Sequence, residues 1–250
     1  MMKKIFWIDL KRAFLCKGFY LAFIIICLIF ARAIEQNIPF DLNPSCYEII
    51  VAATALSGFT PFAAIFPSIA YSIAFSSECS SGYIKMIAAR MEAKKFAKMR
   101  IITVGFTGGL IIALPMLIMC LLAYSVGEPG MPTTGLYQGT RIEYYITHYG
   151  DWYVLCGKVI LGFLFGAIWS ICSLAFAAWT CNKYMALICP FIVYELMWVM
   201  FYKIKFINPI FLIRGDDIQS YPLAVLMEIV YIALMSIAAY IGIKRRMKVE

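Results

Sequence analysis

The sequence has few of the groups from which catalytic and metal sites are built. It contains one histidine, His148, and no pair of cysteines in Cys-x-x-Cys spacing. A metal site needs several converging ligands, and a serine or cysteine nucleophile ordinarily needs a neighbouring base such as histidine. The phosphate-binding pattern Gly-x-x-x-x-Gly-Lys-Ser/Thr is also missing. We therefore expect no metal, no cofactor and no catalytic activity of the chain's own. Its energy must come from a partner or from a gradient.

Charged residues are also few. Only 14% of the residues are charged, while 63% are hydrophobic and the mean hydropathy is +0.84; soluble domains are roughly 45–50% apolar. An apolar helix of about 20 residues crosses a bilayer core of ~30 Å. The sequence therefore predicts an all-α integral membrane protein with one domain over residues 1–250. Its six predicted transmembrane helices are 18–34, 54–76, 101–126, 159–180, 184–202 and 221–243.

The placement of lysine and arginine predicts the orientation. With a cytoplasmic amino terminus, 16 of the 22 basic residues fall on the cytoplasmic side. This asymmetry is the one that the positive-inside rule describes. We expect a multi-pass protein of the bacterial cytoplasmic membrane with both termini in the cytoplasm. The basic side would contact anionic membrane lipid. We expect no nucleic-acid partner, because the basic residues lie in short loops and not in a separate domain.

The first 17 residues form a helix candidate ahead of the first span. Phe6, Leu10, Ala13 and Phe14 recur at helical spacing on one stripe, and Asp9 lies off that stripe. One interpretation is an amphipathic helix lying on the inner leaflet. The other is a simple basic flank that sets the orientation of the first span.

The segment 77–100 is the longest charged stretch between two spans. Ser80 and Ser81 could cap a helix, and Gly82 could end the helix of the second span. Four apolar residues then form a patch facing away from Lys85, and spaced basic residues lead into the third span. The apolar set is Tyr83, Ile84, Met86 and Ile87; the basic set is Arg90, Lys94, Lys95, Lys98 and Arg100. An apolar patch framed by charge favours a helix that docks a soluble partner.

This order of residues resembles a known family. Glu78, Gly82, Tyr83, Ile84, Lys85, Met86 and Ile87, followed by Arg90, Lys94 and Lys98, are similar to the loop between spans two and three of type-2 ABC export permeases. The six-span layout, the amphipathic leader and the length agree with that family. Where the family often has Leu-Pro, this chain has Arg90-Met91.

The resemblance implies a permease subunit that is not itself an enzyme. Residues Glu78 and Gly82 to Ile87 would form a coupling helix that docks cytoplasmic ATP-binding cassette ATPase subunits. A second permease copy or a paralogue would complete a dimer. For a chain with no large outer domain, we expect the exported substrate to be amphipathic or hydrophobic, such as a peptide, a drug or a lipid.

Two acidic residues lie inside predicted spans, Glu195 in the fifth and Glu228 in the sixth. Such residues usually face a protein interior or a water-filled cavity. They could line a polar vestibule or proton relay. Alternatively, they could pair with Lys203, Lys205 or Arg214 and anchor an outer re-entrant segment between spans five and six.

Two other functions stay open at the level of sequence. The chain could be a gradient-driven carrier that uses Glu195 and Glu228, or an accessory structural subunit of the membrane. Cys46 and Cys156 fall on the predicted outer side and could form one disulfide.

Overall fold

The structure is a computed structural model that describes residues 2–38, 44–130, 140–215 and 220–249. Within these ranges the chain is almost entirely helical and forms no strand. Six helices are long and apolar enough to cross a membrane, as the sequence predicts. We call them spans 1 to 6: Lys17–Asn37, Phe59–Ser80, Ala93–Val126, Asp151–Thr180, Lys183–Met200 and Tyr221–Val249.

Shorter helices lie before and between the spans. Met2–Phe14 is the N-terminal helix, and Tyr83–Ala88 is the loop helix between spans 2 and 3. Cys46–Ala55 and Arg141–Tyr149 precede spans 2 and 4, and Pro209–Arg214 lies between spans 5 and 6. This last helix is largely buried and packs on spans 4 and 5.

Several helix boundaries differ from those that hydropathy predicts. Spans 3 and 4 begin eight residues earlier than predicted, at Ala93 and Asp151, because polar and charged residues continue the helix beyond its apolar part. Span 2 begins later, at Phe59. Gly58 adopts a left-handed φ of 67°, which separates span 2 from the preceding helix Cys46–Ala55.

Span 2 is the least regular of the six. It consists of the helical turns Phe59–Phe62 and Ile65–Pro67, the π-helical stretch Ser68–Ser72, and the α-helix Ile73–Ser80. Pro61 and Pro67 lack the backbone N–H that a regular α-helix would use. Backbone irregularity within a membrane span is tolerated where other protein groups cover it. Here spans 3 and 4 pack along this stretch.

Spans 3 and 4 form the closest helix pair of the fold. A Cβ atom added to Gly166 would stand 2.3 Å from the carbonyl oxygen of Gly108, and one added to Gly108 would stand 2.2 Å from Ser170 Oγ. The two backbones are therefore almost in contact, as at other membrane interfaces built from small residues. Spans 2 and 4 are the most buried spans, whereas spans 1, 5 and 6 keep much of their apolar surface exposed.

The bundle has two ends of different composition. The end we call the basic end holds the N-terminal helix, the loop helix, the turn between spans 4 and 5, and the end of span 6. At the opposite end, Cys46 and Cys156 are both free thiols. Cys46 donates instead to the Gly127 carbonyl oxygen at 3.6 Å. Burial raises the pKa of the Cys46 thiol above its ordinary value, and the charge of Asp151 adds to the rise.

Candidate functional site at the basic end

The loop helix follows span 2 after a sharp turn. Gly82 adopts a φ of 70°, the left-handed conformation that favours glycine, and a β-carbon there would meet no neighbour within 4 Å. The strain of the backbone is thus the reason for glycine at this position. Ser80 and Ser81 do not cap the loop helix as predicted. Their hydroxyls donate backward to the carbonyl oxygens of Ser77 and Glu78 in span 2.

Some of the predicted docking residues are exposed on the surface, and others are buried in the core. Tyr83 and Met86 are exposed, at 39% and 56% of their surface. Ile84 is fully buried in the main hydrophobic core, and Ile87 packs partly against that core. Lys85 lies in the helix, but its side chain is outside the described part of the chain. The apolar surface that a partner could reach on this helix is therefore narrower than the four-residue patch predicted from the sequence.

Glu78 lies behind the loop helix in a buried ion network. Its Oε2 accepts from Arg100 Nη2 at 3.0 Å, and its Oε1 accepts from Arg12 Nη2 at 3.1 Å. Arg100 Nη1 also donates to Asp9 Oδ1 at 2.6 Å and to the Tyr71 hydroxyl at 2.9 Å. The Tyr71 hydroxyl in turn donates to Asp9 Oδ1 at 2.5 Å. Two arginines and two carboxylates thus balance one another in charge.

The network connects three elements at one point. Asp9 and Arg12 come from the N-terminal helix, Tyr71 and Glu78 from span 2, and Arg100 from span 3. Arg100 is only 1% exposed, and its guanidinium also lies 4.4 Å from the centre of the Tyr71 ring. Arg100 is buried because it lies on the face of span 3 that packs on the bundle. The network thus ties Glu78, near the base of the loop helix, to both the N-terminal helix and span 3.

Sequence reasoning did not find this network. Asp9 was noted only for lying off an apolar stripe, and Arg100 only as the last basic residue before a span. Two signals were present in the sequence. Asp9 is the single acid in a basic segment, and Arg100 directly precedes an uncharged run. Their partners are 22 to 91 residues away along the chain, separations that no local pattern bridges.

The N-terminal helix lies against this network and has two apolar faces. Phe6, Ala13 and Phe14 of the predicted stripe pack on the bundle core. Trp7 and Ile8 are exposed at 62% and 59%. An exposed tryptophan next to exposed basic residues is typical of a helix at a membrane surface.

The two acids of spans 5 and 6 lie in different surroundings. Glu228 is completely buried, and neither of its carboxylate oxygens has a hydrogen-bond partner within the described ranges. It lines a small void together with Trp169 and Tyr231. Glu195 is partly buried, and its Oε1 has no partner in the same ranges. Neither glutamate forms an ion pair with Lys203 or Arg214.

The short helix near these glutamates is anchored through main-chain oxygens instead. Lys158 Nζ donates to the Arg214 carbonyl oxygen at 3.0 Å, and Tyr231 donates to that of Ile207 at 2.7 Å. Asn208 caps the short helix by accepting from the Ile210 N–H at 3.0 Å. Within the described residues, these bonds hold the short helix without a contribution from Glu195 or Glu228.

Comparison of the chain with protein-family models, curated proteins and solved structures gives no match. Within the described residues, no group of three or more histidine, cysteine, aspartate or glutamate side chains could hold a metal ion. The basic end thus carries an exposed apolar pair on the loop helix, a buried ion network behind it, and a cavity lined by residues of both.

Proposed function

We propose that the protein is the membrane-spanning subunit of an ATP-driven exporter of the type-2 ABC class. The observation that carries the proposal is the loop helix Tyr83–Ala88, a separate helix between spans 2 and 3 with exposed apolar side chains at its surface. Its residue order is the one that resembles the coupling loop of those permeases. The orientation expected from charge places it in the cytoplasm, where an ATPase subunit could reach it.

The ion network supports this proposal by giving the loop helix a rigid attachment. A partner that pushes on Tyr83 or Met86 would act on Glu78 through the two-residue turn at Ser81 and Gly82. Glu78 is joined to span 3 through Arg100 and to the N-terminal helix through Arg12. Nucleotide-driven movement of the partner would thereby reach three elements of the bundle at once.

The exposed apolar surface of spans 1, 5 and 6 supports an assembly within the bilayer. This surface would face lipid or a second copy or paralogue, as the family resemblance implies. We propose export of an amphipathic or hydrophobic substrate, because the described segments between spans at the end opposite the basic end are short helices and turns.

A pull-down from native membranes tests the docking surface. We expect the tagged protein to retain an ATP-binding cassette ATPase, and the double variant Tyr83→Asp with Met86→Asp to lose most of it, because two charges would then be buried at the contact. Tyr149→Asp is the matched control, since Tyr149 is also an exposed aromatic on a short helix, at the opposite end. Equal retention by all three proteins would contradict the proposal. Ile84→Asp is unsuitable because Ile84 is part of the core.

A gradient-driven carrier is the second candidate, and Glu228 favours it. A carboxyl group buried without a partner is the type of group that binds and releases a proton during transport. For the exporter, Glu228→Gln should retain ATP-dependent transport, because glutamine keeps the shape without the charge. For the carrier, the same variant should assemble normally and lose all transport, and wild-type transport should persist without any ATPase. Transport by proteoliposomes of both proteins, with and without the ATPase, separates the two.

A further inference from the structure

Two depressions meet at the basic end. A cavity of about 310 Å³ lies between the N-terminal helix and the loop helix, and an open groove of about 840 Å³ lies between the N-terminal helix and span 2. Both are lined by Ile8, Arg12, Glu78 and Tyr83. They therefore adjoin each other at these four side chains, and together they extend from the side of span 2 to the surface beside the loop helix.

The groove has walls suited to a hydrocarbon chain. Ile69, Ala70, Ile73 and Ala74 of span 2 line one side. Gly18 of span 1 closes it, because a Cβ there would stand 2.5 Å from the Ile69 carbonyl oxygen and the two spans touch at this point. These walls belong to spans 1 and 2, where the surrounding solvent of a membrane protein is lipid.

The residues that line the cavity carry a net positive charge. Arg12, Arg90 and Arg100 line it, against Asp9 and Glu78. The guanidinium of Arg100 is engaged by both carboxylates. Arg12 is half exposed; within the described ranges it pairs with Glu78, and its guanidinium lies 5.9 Å from the centre of the Tyr83 ring. Arg90 is exposed and forms no ion pair within the described ranges. An anion at the mouth would meet Arg90 and the free side of Arg12.

The remaining walls of the cavity are adaptable. Met86, Met91 and Met99 contribute flexible thioether side chains that fit ligands of varied shape. The volume lies at the lower end of the roughly 300–1,000 Å³ typical of small-molecule sites.

We propose that this joined site binds one anionic phospholipid. An acyl chain lies in the groove along span 2, and the phosphate lies at the mouth of the cavity between Arg12 and Arg90. A neutral lipid would fill the groove equally well, but it would leave the net positive charge of the cavity without a counter-charge. The proposal does not require the exporter assignment, but Tyr83 and Met86 line the cavity and also form the proposed docking surface, so the two proposals share these residues.

Native mass spectrometry of the detergent-purified protein tests it. With dioleoylphosphatidylglycerol, we expect one lipid retained per chain, and far less retention of dioleoylphosphatidylcholine at the same concentration. Arg90→Gln should weaken retention about fivefold, the effect of removing one cation near a lipid phosphate. Lys183→Gln is the matched control, because it removes an exposed charge at the same end without lining the site.

A second variant tests the groove separately from the charge. Ile73→Trp places a larger side chain in the path of the acyl chain and should abolish retention while leaving the unfolding temperature of the lipid-free protein nearly unchanged, because Ile73 lines the groove and is only partly buried. Equal retention of both lipids, equal loss from Lys183→Gln and Arg90→Gln, or full retention by Ile73→Trp would each overturn the proposal. Displacement of the lipid by millimolar inorganic phosphate alone would show that only a phosphate site exists, and would overturn it as well.

Discussion

Arg100 is the residue on which the basic end depends. It is buried, and it neutralises two carboxylates from different elements. Placing charge in a protein interior is costly, and removing one member of a buried pair leaves the other unpaired. The balance of two arginines and two acids explains how four charged side chains can share the place where three helices meet.

We predict that Arg100→Met lowers the free energy of unfolding by about 3–5 kcal/mol, because Asp9 and Glu78 would lose their shared partner. Arg90→Met should change it little, since Arg90 is exposed and outside the network. Denaturant unfolding of the purified proteins in detergent micelles measures both.

A compensated variant checks the electrostatic cause. Combining Arg100→Met with Asp9→Asn and Glu78→Gln removes the stranded charges and should recover part of the lost stability. If the triple variant is less stable than Arg100→Met alone, the network stabilises the fold through hydrogen bonds and not through charge balance.

Glu228 and Ile84 show what the sequence does not reveal about single residues. Glu228 was recognised because a single charge in an apolar run is visible locally. The lack of a hydrogen-bond partner for its carboxylate within the described residues was not visible, because that depends on which side chains of spans 4 and 5 pack around it. Ile84 was assigned to a docking patch because the sequence does not reveal which face of a six-residue helix packs on the bundle.

At the scale of elements, close packing between spans 3 and 4 is the central feature. Their contact places Gly108 and Gly166 backbone against backbone. Van der Waals packing drives such contacts in membranes, where lipid is as apolar as the side chains. The spans were predictable from long apolar runs, but the irregular course of span 2 was not, because hydropathy does not register a π-helical stretch or a left-handed glycine.

We predict that Gly166→Leu prevents normal packing of spans 3 and 4, because even the first added carbon overlaps the Gly108 carbonyl. The folded yield, measured as the monodisperse fraction in fluorescence-detected size-exclusion chromatography, should fall several-fold. Ala233→Leu enlarges an exposed position on span 6 and should leave the yield unchanged. Normal yield from Gly166→Leu would show that the two spans are not in contact as described.

At the scale of the whole molecule, the asymmetry of charge sets the expected orientation. The basic end joins both termini, the loop helix and the turn after span 4. A chain that crosses a bilayer six times has both termini on the same side, because six is an even number. This part of the fold was accessible from the sequence, because both the apolar runs and the basic residues are read directly from it.

We predict that both termini lie in the cytoplasm. An epitope fused to either terminus should be protected from external protease on intact cells and cleaved after the membrane is permeabilised. An epitope inserted after Tyr149, at the opposite end, is the control and should be cleaved on intact cells. Cleavage of a terminal epitope on intact cells would reverse the orientation and place the loop helix outside.

Photocrosslinking from the loop helix tests the central claim most directly. A photoreactive amino acid at Met86 would lie on the exposed face of the loop helix, and one at Tyr149 would lie at the opposite end. In native membranes, we predict a crosslink from position 86 to an ATP-binding cassette ATPase, and none from position 149. A crosslink from position 86 to lipid alone, in cells whose ATPase is present and active, would contradict the account of this protein as the driven half of an ATP-powered exporter.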